Sequence, residues 1–280
     1  MKKIAETDFN KSMLPHNRME LLLDIIKNHY RVLMLVGLIL LAFSIPLLAL
    51  SFISDYHLAN LALSCSKGKY DLETYRSLSV SFSFYMDLFK TLALAILGIG
   101  VGAIMKIIKN LCYLEPVFFG YDFKSGLKNN WLSMSFLFLL VGLFNAATMY
   151  AVKVIQYPIL IGVIIVLVFV ILYPPLMMMI PHISIYTNKF YKRIYLSFAM
   201  YVRFFLPFLG IFILVGLPFL LFLIPSILIK YLVFAVFCIF LIPISYLIVF
   251  LYSSHVFDRC INQKYFPELV NKGLQRNKDK

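Results

Sequence analysis

A chain of 280 residues that is 62% hydrophobic and only 14% charged holds more apolar surface than a soluble domain can bury, since globular chains sit near roughly 45–50% apolar. Its net charge of +13 invites a nucleic-acid reading, but the cations recur segment by segment along the chain and form no single basic block. A membrane protein is expected, with nucleic acid excluded as a partner.

The opening residues from Met1 to Lys11 are polar and lead into no short apolar core with a small-residue cleavage site, so no signal peptide is expected. Residues 1–31 read as a cytoplasmic tail followed by a helix lying on the membrane surface. Asn17 and Glu20 have the spacing of a capping box, in which each side chain satisfies a free amide of the first turn. Met19, Leu22, Ile25 and Ile26 share one face of that helix, while Asp24, Lys27 and Asn28 face water.

Six apolar stretches follow, at 32–54, 88–108, 132–151, 158–180, 204–224 and 231–253. Each is long enough to cross a hydrocarbon core of about 30 Å as a helix rising about 1.5 Å per residue. Five of the six contain no Asp, Glu, Lys, Arg or His, and the other carries Lys90 and Lys106 near its ends. No alternation of period two runs through them, so they are helices and not barrel strands. The expected fold is an all-α polytopic transmembrane bundle, residues 32–253, with amphipathic helices at the interface. The near-absence of charge within the spans argues against ion-coupled transport, which keeps carboxylates or bases inside the bilayer.

The connection at 55–87 is the one long segment on the outer side and is expected as a loop with a helix from Tyr70 to Asp87. Asp87 and Lys90, three apart, are expected to pair at the outer interface. Gly98, Gly100 and Gly102 in the second span are candidate helix-packing residues, because small side chains let helices approach closely in lipid. Prolines 158, 174, 175, 181, 207, 218, 225 and 243 punctuate the later spans and predict kinks where they are interior. A shift of 68 residues aligns Lys124 with Lys192, Phe136 with Phe204 and Gly142 with Gly210, a weak parallel repeat.

Twenty Lys and Arg fall on alternate segments of one side and five on the other, with Lys90 left at a span mouth. The positive-inside rule then places both termini in the cytoplasm, including the basic tail 254–280, and the cations against an anionic cytoplasmic leaflet.

The most distinctive polar residues lie in two cytoplasmic connectors, 109–131 and 189–203. In the first, Asp122 is expected to cap a short helix with Phe123, Leu127 and Trp131 in a stripe flanked by Lys124 and Lys128. Glu115, Asp122, Lys124, Lys128, Trp131, Lys192 and Arg193 are therefore candidate contacts for a protein partner. Neither connector has metal-ligand spacing. His16, His29, His57, His182 and His255 lie in separate segments, and Cys65, Cys112, Cys238 and Cys260 show no Cys-x-x-Cys spacing. No catalytic residue, cofactor site or metal site is expected.

Glu115-Pro-Val-Phe-Phe followed by Asp122-Phe-Lys-Ser-Gly-Leu-Lys-Asn-Asn-Trp131 resembles a stretch typical of the YesL-like family of bacterial integral membrane proteins. Ser44-Ile-Pro46, the Met13-Leu-Pro-His-Asn-Arg18 opening and the Phe266 to Gly273 tail also look like that family's motifs. The chain departs from the pattern in its long 55–87 connection and in Leu114, where a Gly is expected before the Glu. The resemblance implies a multi-pass protein of the bacterial plasma membrane, often associated with carbohydrate uptake, with no established activity. The expected function is a non-enzymatic accessory or scaffold component that contacts a membrane transporter. The alternative is a transporter or channel for a small neutral solute.

Overall fold

The computed structural model describes residues 14–155, 157–217, 220 and 224–275. Pro218 and the ends of the basic tails lie outside them, as does part of the predicted 204–224 span. Among the described residues there is no strand. The first helix, α1 (Arg18–Asn28), begins at the expected capping box: Asn17 Oδ1 accepts the Glu20 amide at 2.8 Å, and the Glu20 carboxylate accepts the His16 amide at 2.8 Å.

Two very long helices follow. α2 (Tyr30–Ser66) has 37 residues and α3 (Leu72–Cys112) has 41, so each is on the order of 55–60 Å long and overshoots a hydrocarbon core by about 25 Å. They are joined by a tight turn in which Gly68 has φ +74° and Asp71 Oδ1 caps α3 through the Thr74 amide. The helix expected from Tyr70 to Asp87 is present as the first part of α3, but the rest of the 55–87 connection is not a loop. The connection is a helical hairpin, formed because the polar ends of both helices continue the helical hydrogen bonding beyond the apolar run. The Asp87–Lys90 pair is present at 3.1 Å.

α4 (Phe119–Val154) runs without a break through the predicted connector helix and the third span. Asp122 sits in its first turn, where its carboxylate accepts the Phe118 amide at 2.9 Å. The expected separate short helix is thus the first part of α4, secured by a carboxylate at the positive end of the helix dipole. The fourth span consists of α5 (Pro158–Val166), a π-helical segment (Leu167–Leu172) and α6 (Tyr173–Ile185). α7 (Phe190–Arg203) and α8 (Phe205–Gly216) meet at an angle of 104°. α9 (Ile227–Phe257) leads through a π-helical turn (Asp258–Asn262) into the tail.

Five of these helical segments are long and apolar enough to cross a bilayer, or six if the bent α7–α8 pair counts as one span. The chain is a multi-pass, all-helical membrane protein. α3 is its central post, with 61% of its most apolar window buried against at most 28% for the other four. Val101, Ile104, Met105 and Ile108 of α3 meet Leu33 and Val36 of α2, Met134 and Leu137 of α4, Met179 and Ile183 of α6, and Leu247 and Phe250 of α9. α1 seals one end with Leu21 and Ile25, both fully buried.

Small residues set the tightest crossings. A Cβ on Gly126 of α4 would lie 2.3 Å from the Ala103 carbonyl oxygen, so α3 and α4 touch backbone to backbone there. Gly98 and Gly102 face Met134 and Asn130 along the same seam, whereas Gly100 points the other way, onto the Phe43 ring of α2. Asn130 Nδ2 donates to the Gly102 carbonyl at 3.3 Å.

Two proline effects are resolved by neighbouring helices. Pro174 and Pro175 both lack an N–H, so the Val170 carbonyl finds a donor in neither the α nor the π register. The Tyr201 hydroxyl of α7 donates to it instead, at 2.5 Å. Pro243 likewise removes the donor for the Ile239 carbonyl, and that oxygen faces Gly37 of α2, where a Cβ would lie 2.1 Å from it.

Candidate functional site

Polar side chains gather at both ends of the bundle. At one, Lys230 and Tyr231 of α9 donate to Asp55 of α2 and Lys90 to Asp87; at the other, α1, the start of α4, α7, the end of α9 and the tail converge in the larger network. A hydrogen-bonded chain closes this end. Arg18 Nη2 donates to Asp258 Oδ2 at 2.5 Å, and the same oxygen accepts the Asn271 amide at 3.1 Å. Asp258 Oδ1 accepts from Asn262 Nδ2 at 2.7 Å, and Asn262 Oδ1 accepts the Tyr186 hydroxyl at 2.5 Å. Asp258 therefore links α1, the tail and the residue after α6. It would otherwise be a poorly placed anion at the negative end of α9.

Beside this chain, Lys272 Nζ donates to Glu115 at 2.5 Å and lies 5.0 Å from the centroid of the Tyr113 ring. Gly273, with φ +83°, lets the tail pass against the Cys112 carbonyl, which a Cβ would approach to 2.4 Å. The Gln275 amide donates to the Pro15 carbonyl at 3.0 Å, so the two ends of the described chain meet. Burial pushes the Tyr113 and Tyr186 hydroxyls well above the usual phenol range, with Asp258 adding to the effect on both.

A second joint holds the two connectors together. Arg193 of α7 is buried and donates to Ser133 Oγ of α4 at 3.1 Å. The Phe136 and Phe190 rings meet edge to face with centroids 5.0 Å apart. Arg193, Ser197, Met200 and Tyr201 form the buried stripe of α7, leaving Tyr191, Lys192, Tyr195 and Val202 on its exposed side.

The seven candidate contact residues thus divide in two. Asp122 and Arg193 are buried and committed within the chain, and Glu115 is half-buried against Lys272. Lys124, Lys128, Trp131 and Lys192 remain exposed, on α4 and α7. The sequence did not reveal Arg18, Tyr186, Asp258, Asn262 or Lys272 as members of a network. The available signal was faint: an Asp immediately after a long apolar helix, where an uncompensated carboxylate is unfavourable.

As chemistry the site is sparse. His182 Nδ1 lies 3.3 Å from Ser197 Oγ, a spacing that a nucleophile and base can share. Both side chains are sealed from solvent, and among the described residues His182 Nε2 has no hydrogen-bond partner, as is true of Asn110 Oδ1, Arg193 Nε and Ser253 Oγ. No carboxylate among the described residues is hydrogen-bonded to the imidazole, and the Ser197 side chain is buried. Among the described residues no three His, Cys, Asp or Glu side chains come together as a metal site.

The architecture and the site define a polytopic helical membrane protein with a closed, charged end. Comparison with family models, with curated proteins and with solved structures finds no match for this chain.

Proposed function

We propose that this chain is a non-enzymatic accessory component of the bacterial plasma membrane, similar to the YesL-like proteins, which holds a carbohydrate-uptake transporter against the exposed face of α7, itself fixed on α4. The observation that carries this reading is the fixed joint between those helices. Arg193–Ser133 and Phe136–Phe190 lock them together, while Tyr191, Lys192 and Tyr195 of α7 are left outward; Lys124, Lys128 and Trp131 lie on the far side of α4 from this joint. A rigid surface with exposed aromatic residues and cations is what an interface uses for anchors. The family resemblance gains support at Leu114. Its φ is +52°, in the left-handed region where glycine, the residue of the family motif, carries no Cβ penalty.

The test is photocrosslinking in native membranes from a reactive residue placed at Lys192 or Tyr195, followed by mass spectrometry. One membrane partner recovered in comparable amount supports the reading; reproducible recovery of the chain alone overturns it.

The 104° break between α7 and α8 and the π segment in the fourth span favour a second reading, a pathway for a small neutral solute. Against it, the carbonyl released by Pro174 is taken up by Tyr201, and the one released by Pro243 packs directly against Gly37 of α2 and faces no open pathway. Solute flux in proteoliposomes above that of empty vesicles would establish a pathway.

A further inference from the structure

We infer that the furrow between α3 and α4 lined by Ile99, Lys124, Leu127, Lys128 and Trp131 is a binding site for an anionic phospholipid. The furrow is open along its length and encloses about 400 Å³. It runs beside the close approach at Gly126, where the backbones of α3 and α4 touch.

Its two ends differ in chemistry. Ile99 and Trp131 form one end, since α3 and α4 run antiparallel with Gly98 against Met134 and Gly102 against Asn130. Ile99 is in the middle of the 88–108 span, so acyl chain and not water lies alongside it. Lys124 and Lys128 form the other end, one helical turn apart and exposed. Lys106 is two turns from Ile99 on the same side of α3, and its Cβ is adjacent to Gly126.

No ion pair involves these three lysines among the described residues. The nearest carboxylates along the chain are occupied elsewhere, Asp122 with the Phe118 amide and Glu115 with Lys272. Unopposed ammonium groups at one end of a furrow whose other end is lined by Ile99 and Trp131 match a phosphate diester above an acyl chain. A soluble phosphate ester would use only half of this surface.

The inference rests on the orientation proposed above only for which leaflet supplies the lipid. Native mass spectrometry of the full chain released from nanodiscs of equal phosphatidylglycerol and phosphatidylcholine tests the furrow itself, because both leaflets are then alike. Phosphatidylglycerol is expected to be retained in preference. The Lys124→Gln/Lys128→Gln variant is expected to lower that preference on the order of tenfold, as the loss of two phosphate-facing cations requires. The Lys124→Arg/Lys128→Arg variant keeps the charge and should keep the preference, as should Lys67→Gln/Lys69→Gln on the far hairpin. Equal retention of both lipids by the native chain, or an unchanged preference in the Gln variant, overturns the site. Loss of lipid preference leaves the crosslinking result untouched, so the two proposals fail separately.

Discussion

Tyr201 shows how one side chain makes an irregular span tolerable in lipid. The Val170 carbonyl is deprived of a backbone donor by two consecutive prolines, and an unpaired carbonyl in an apolar surrounding is costly. The hydroxyl of Tyr201 meets that need from another helix, at 2.5 Å. Replacing Tyr201 with Phe keeps the ring contacts with Phe205 and Phe208 but strands the carbonyl. The expected loss is about 1–3 kcal/mol, read as a drop of several degrees in the apparent melting temperature in mild detergent. Tyr195, 71% exposed on the opposite side of α7, serves as the control. Tyr195→Phe should leave the transition where it is, and an equal shift in both variants would remove the special role assigned to Tyr201.

At the scale of elements, the seam between α3 and α4 is among the closest contacts in the bundle, because like the α2–α9 crossing at Gly37 it tolerates no side chain at Gly126. Gly126→Leu forces the helices apart at the Ala103 carbonyl, which a Cβ alone would approach to 2.3 Å. A cost of at least about 1–3 kcal/mol is expected from overpacking, with lower yield of monodisperse protein on gel filtration. Gly210 of α8 has nothing within 4 Å of its added Cβ. Gly210→Ala should be neutral or slightly stabilising, since Ala is the better helix former. The same elements mark what the sequence discloses and what it hides. Spans are legible because twenty apolar residues in a row have no other home, and Asn17 with Glu20 names the start of α1. The first arm of the helical hairpin is easily overlooked although Leu58, Leu61, Ala62 and Cys65 have helical spacing, because the stripe is short and sits among small polar residues. The break at Phe204 had a signal in Pro207, which cannot donate to the Arg203 carbonyl and so suits a first helical turn better than a helix interior. At the candidate site, Lys124, Lys128 and Trp131 share a face by spacing alone. The Arg18–Asp258 bond, across 240 residues, is beyond any local pattern.

The whole molecule is polarised: one end bears the hairpin of α2 and α3, the other the closed network of α1, α9 and the tail. The charge count assigns the second end to the cytoplasm, and the four cysteines provide a direct test of that assignment and of the packing together. Cys65 lies near the tip of the hairpin and Cys260 in the π turn after α9, both partly exposed, whereas Cys112 and Cys238 are buried at 1% and 2% exposure. A thiol reagent that cannot cross membranes should modify Cys65 in intact cells. It should reach Cys260 only after the membrane is opened, and single-cysteine variants retaining Cys112 or Cys238 should stay unmodified in the folded protein under both conditions. Labelling of Cys260 and not Cys65 in intact cells would invert the orientation and move the exposed face of α7 out of reach of a cytoplasmic partner. Rapid labelling of Cys112 would instead contradict the tail seated over the end of α3, because Gly273 rests against the carbonyl of that same residue. The two outcomes separate an error in topology from an error in packing, since the first depends only on which side the reagent occupies and the second only on whether the closed end is sealed.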